Sequence, residues 1–144
     1  MDIETIVLPL HILSIIFTAY QIAHAEHLGL LWARGKVEKS ELKLVTKYHN
    51  RTWFGFALII TTGLILFYPM REFLLSRPQF YVKMGFVAAI FINSFVVGTL
   101  LKIPTEQSFA SLSLKKKIPL MISGAISTVS WLGAIAGGFF LIPE

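Results

Sequence analysis

At 144 residues, 55% hydrophobic and only 15% charged, the chain has too little polar surface for a soluble domain and reads as a single integral membrane domain. Its formal charge of +5 is carried by residues between apolar runs rather than on a polar domain, which argues for membrane topology and against a nucleic-acid partner. The absence of cysteine excludes disulfides, iron–sulfur clusters, thiolate metal sites and cysteine nucleophiles, so a metal or cofactor must use His, carboxylate, Lys, Met, Tyr or backbone ligands.

Four segments are long and apolar enough to cross about 30 Å of hydrocarbon. They cover about residues 5–33, 41–69, 79–101 and 117–142. The first opens with MDIETIVLPLHILSII, an acidic rather than basic lead, so Ala23-His24-Ala25 is read as part of an uncleaved span and not as a signal-peptide cleavage site. Ser40 before Glu41 reads as the N-cap of the second span. Pro69, Pro78 and Pro104 are expected to close or open spans, and Trp53, Tyr68 and Tyr81 to mark interfaces. Asn93, near the middle of the third span, is expected to hydrogen-bond across helices. The fourth carries Ser123, Gly124, Ser127 and Ser130, then Gly133-x-x-x-Gly137 and Gly138. That spacing lets helix backbones approach closely, either inside the bundle or in a homodimer.

The predicted fold is therefore all-α, an up-down bundle of four transmembrane helices in the lipid bilayer. Arg34, Lys36, Lys39, Lys43, Lys47 and Arg51 flank the first connection, and Lys102, Lys115, Lys116 and Lys117 the third. The positive-inside rule then puts those connections in the cytoplasm and both termini outside a plasma (inner) membrane.

Ionisable residues within spans usually face the bundle interior and mark function. They fall at two depths. At the cytoplasmic level the run HAEH supplies His24, Glu26 and His27. Counting back from the first connection places residue 24 opposite 50 and residue 27 opposite 47, so His49 is level with both histidines. His24 and His27 lie about 60° apart around the helix, and Glu26 points elsewhere, toward Lys43 or Lys47. Two readings stand: a Zn, Fe or Cu site made by His24, His27 and His49, or hydrogen-bonded side chains in the headgroup zone. Adjacent helices 8–10 Å apart leave too little room for a bis-histidine haem here.

At the outer level are His11 and Lys83, about 8 Å and about 5 Å deep at 1.5 Å per residue. They sit on helices 1 and 3, which are diagonal in an up-down bundle, and that separation suits a planar macrocycle. An ordinary reading also stands, in which Lys83 snorkels and His11 bonds a neighbouring group.

LHILSIIF in the first span, WFGFALIITTGLILFYP in the second and FYVKMGFVAAIFINSF in the third together resemble HemJ-type membrane protoporphyrinogen oxidases and, more distantly, CopD-like copper-resistance membrane domains. The resemblance covers residues 8–101. It implies that His11 and Lys83 are the functional pair, catalytic and cofactor-binding, with haem b as cofactor and oxidation of protoporphyrinogen IX as the reaction. HAEH, His49 and the fourth helix lie outside that pattern.

Three functions are thus expected in order: a haem- or porphyrin-associated redox protein, a histidine-based metal-binding or transport protein, and a structural bundle or subunit. No nucleophile triad, phosphate-binding glycine loop or carboxylate dyad supports a hydrolase or kinase.

Overall fold

The computed structural model of the chain describes residues 2–141. Four long helices run α1 (Ile3–Ala33), α2 (Leu42–Leu75), α3 (Pro78–Leu100) and α5 (Leu114–Phe139), with one short turn of helix, α4 (Ile103–Glu106), in the last connection. All four long helices are long and apolar enough to cross a membrane. The predicted end of the fourth span, at 142, lies outside the described residues.

The chain folds as two antiparallel hairpins. α1 packs along α2, α3 packs along α5, and the hairpins approach most closely where α2 meets α3. The connections 34–41 and 101–113 lie at one end, the loop end, and dock onto each other. The buried Trp32 indole donates to the Gln107 carbonyl at 2.9 Å, and the Ser40 amide donates to the Pro104 carbonyl at 2.7 Å. The N-terminus and the α2–α3 turn lie at the other, the turn end.

Local chemistry explains the boundaries. α1 ends in a Schellman motif: Gly35 takes φ +70, its amide donates to the Trp32 carbonyl, and the Lys36 amide donates to that of Leu31. Glycine suits that left-handed position because it has no Cβ to clash. α2 is capped by Glu41, one residue later than expected, without a side-chain cap. Pro69 does not close it; the helix runs on to Leu75. At about 1.5 Å per residue α2 overruns the hydrocarbon, so the backbone group that Pro69 leaves unpaired can reach water. Pro78 opens α3 at its first residue, where a missing N–H costs nothing.

The interior of the bundle is polar along α1. Ser14, Thr18 and Gln21 are buried with Val7 and Trp32, and His11 continues the same 4–3 spacing. Large apolar side chains such as Leu13, Ile16, Leu64, Ile92 and Leu132 instead point outward, as lipid-facing residues should. The apolar core is small and central: Phe56, Ile90, Trp131 and Ala134, with Phe86 and Ile22 among the side chains packed on it. Phe56 of α2 stacks on Trp131 of α5 at 6.4 Å, closing one diagonal.

Small residues set the helix spacing. A Cβ on Gly55 would collide with Thr18 of α1, and one on Gly133 would stand 2.6 Å from the Phe86 ring of α3. Gly137 faces Lys83, whose Cβ would be 3.1 Å away. The Gly133–Gly137 stripe is thus occupied within the chain. Asn93 and Ser123 bond reciprocally: Asn93 Nδ2 donates to the Ser123 carbonyl and Ser123 Oγ donates to Asn93 Oδ1, each at 2.9 Å.

Candidate functional site

The α1–α2 register runs Thr18 against Gly55, His24 against Tyr48 and His11 against Thr62. It agrees within two residues with the pairing counted back from the first connection. Depth alone does not bring side chains together, however, because each helix also has a rotational setting.

At the loop-end level the three histidines turn to different neighbours. The His24 ring lies against Tyr20 and Tyr48, with centroids 4.1 Å and 5.6 Å away, and its Nδ1 is 3.0 Å from the Tyr20 carbonyl. His49 is about 100° further round α2 than Tyr48 and faces α3, where a Cβ on Gly98 would be 3.3 Å from its Nε2. That Nε2 accepts from the Trp53 indole N–H at 3.1 Å, which commits its lone pair. His27 is exposed. Among the described residues no group of three or more His, Asp or Glu side chains is placed to hold a metal ion. Glu26 turns to α5 rather than to Lys43 or Lys47, accepting from Thr128 Oγ1 at 3.2 Å. Trp53 is not an interfacial anchor either; it packs among Phe56, Phe91 and Phe95.

At the turn-end level His11 and Lys83 each have defined neighbours. His11 is half-buried, with Nδ1 2.7 Å from Thr62 Oγ1. Thr62 Oγ1 is also 2.7 Å from the Leu58 carbonyl, which can only accept. The single hydroxyl proton therefore goes to Leu58, and His11 Nδ1–H donates to Thr62. In the neutral imidazole this leaves the Nε2 lone pair unshared. A carbonyl-anchored hydroxyl that fixes ring and tautomer is the kind of outer partner that metal-binding histidines use.

Lys83 comes from α3, the helix diagonal to α1. Its stem lies along Gly137, and a Cβ on Gly138 would be 3.7 Å from its Nζ. On the other side, a Cβ on Gly63 would be 3.3 Å from His11 Cε1. Glycines thus flank both ionisable side chains, and any larger residue would crowd them. Sequence reasoning singled out His11 and Lys83, named Gly138 only as a packing residue, and passed over Thr62 and Gly63. The Thr-Thr-Gly break inside an otherwise apolar run was the available signal.

His11 offers an oriented imidazole lone pair and Lys83 a primary amine, groups chemically capable of metal ligation or proton transfer. Comparison with family models, with curated proteins and with solved structures finds no match.

Proposed function

We propose that this chain is a small membrane redox protein that holds a haem or related porphyrin between its hairpins, with His11 and Lys83 on either side. The observation that supports this reading most is the state of His11: Thr62 holds Nδ1–H, leaving Nε2 as a ligand. The donor set is one that can hold the group: an imidazole stands on one diagonal helix and an amine on the other, with Gly63 against the imidazole and Gly137 and Gly138 against the lysine side chain. The bound group would supply one-electron chemistry.

The chain's own residues supply the rest. Thr62 fixes the ring of His11. Lys83 either ligates as a neutral amine or, charged, pairs with a propionate, and the surrounding apolar helices exclude water. The HemJ resemblance extends the reading to oxidation of protoporphyrinogen IX at His11 and Lys83, a loss of six electrons and six protons that requires an external membrane electron acceptor. The basic loop end favours a plasma-membrane setting with the connections cytoplasmic and the termini outside.

The test is the visible spectrum of protein purified from membranes and reconstituted with haem b. A Soret band is expected, removed or strongly shifted by His11→Ala and altered in position or retention by Lys83→Ala. Conversion of protoporphyrinogen IX to fluorescent protoporphyrin IX should fall with the same substitutions. A spectrum indifferent to both substitutions overturns the reading.

A further inference from the structure

Among the described residues nearly every buried polar side chain has a visible use, and two do not. Gln21 Oε1 on α1 and Trp131 Nε1 on α5 have no hydrogen-bond partner, although the residues are only 2% and 8% exposed. One is an acceptor and the other a donor. The remaining two indoles are both satisfied, Trp32 by the Gln107 carbonyl and Trp53 by His49.

The two orphans share a region of the bundle. Thr18, one turn before Gln21, packs on Gly55, and the next residue, Phe56, stacks on Trp131. Ile22, beside Gln21, joins the core cluster that contains Trp131. One turn toward the loop end the bond between Glu26 and Thr128 ties the same two helices. α1 and α5 are thus joined across the seam between the hairpins by side chains.

We infer that Gln21 and Trp131 form a buried site for one water molecule, which accepts from the Trp131 indole N–H and donates to Gln21 Oε1. Water is the smallest guest with both a donor and an acceptor, and buried waters occupy this kind of polar gap. The site is distinct from His11 and Lys83, and its existence does not depend on any cofactor. It links the two hairpins by hydrogen bonds.

The test uses the full chain, labelled with 15N-tryptophan and reconstituted in lipid bilayers, and reads proton transfer from water to the three indole N–H groups by NMR. Trp131→Phe assigns its resonance. A water cross-peak is expected at Trp131 and none at Trp53, whose N–H is bonded to His49. In Gln21→Leu the Trp131 cross-peak should be lost while the Trp53 resonance keeps its position, which also reports that the variant is folded. Absence of a water cross-peak at Trp131 in the unsubstituted protein overturns the site, as would a direct bond between the two side chains. A cross-peak that persists unchanged in Gln21→Leu equally rejects it.

Discussion

A threonine hydroxyl has one proton, and at Thr62 that count decides how His11 is used. Because the Leu58 carbonyl takes the proton, His11 must donate through Nδ1 and keep Nε2 open. Thr62→Val preserves the branched shape and removes only the oxygen. Outer-shell partners of this kind typically matter about 10- to 100-fold in affinity, so Thr62→Val should weaken haem retention by about tenfold, measured by titrating haem into the reconstituted protein. Unchanged retention would mean that the hydroxyl has no part in orienting the ring. The Asn93–Ser123 pair makes a different demand. Its two bonds cross from α3 to α5 inside lipid, where interhelical hydrogen bonds average about 0.6 kcal/mol and reach about 1.7 kcal/mol. A double-mutant cycle of Asn93→Leu and Ser123→Ala, read by denaturant unfolding in micelles, should give a coupling at the upper end of that range because both partners are buried.

Between elements, glycine sets the distances. The α3–α5 hairpin depends on Gly133, since the Phe86 ring already fills the place of its Cβ. Overpacking a tight contact costs about 1–3 kcal/mol. Gly133→Ala should therefore destabilise the bundle by about that much, despite alanine's better helix propensity, and Phe86→Leu should recover part of the loss in the double variant. Additive effects of the two substitutions would show that the contact does not limit the approach of the helices. Helix α1 carries the reverse arrangement of a soluble amphipathic helix. Its buried face is Ser14, Thr18 and Gln21 while Leu13, Ile16 and Leu10 look outward. Lipid stands in for the apolar core, so the polar side chains gather where other helices can satisfy them. Ser14 and Thr18 are instead satisfied on their own helix, donating to the carbonyls of Leu10 and Ser14.

For the whole molecule, docking of the two connections at the loop end makes a joint statement about sidedness. Because Trp32 and Ser40 bond to the last connection, both connections must lie on one side of the membrane. The cysteine-free chain permits a direct check with single cysteines and an impermeant thiol reagent on intact cells. Cysteines replacing Lys36 and Lys115 should both be shielded, and one replacing Ser76 should react. Labelling of Lys36→Cys from outside would invert the proposed orientation. Labelling of only one of the two loop-end sites would contradict the up-down bundle itself.

Hydropathy and residue counts by themselves determined the membrane class and the four spans, because these follow from local composition and a fixed rise per residue. They also fixed the α1–α2 register to within two residues, since a short connection leaves little choice. What only the tertiary structure decided is direction around each helix axis. His24 and His49 are level, yet one lies on Tyr48 and the other turns toward Gly98, a difference set by how hairpins pack. The same packing brings Thr62 to His11, lays Lys83 along Gly137 and leaves Gln21 Oε1 and Trp131 Nε1 without partners. Lipid-facing and bundle-facing surfaces are both accommodated by apolar residues, so hydrophobic periodicity carries little information about rotation. Close contact through glycines and a few hydrogen bonds settles it instead, and those are properties of pairs of helices rather than of any one segment.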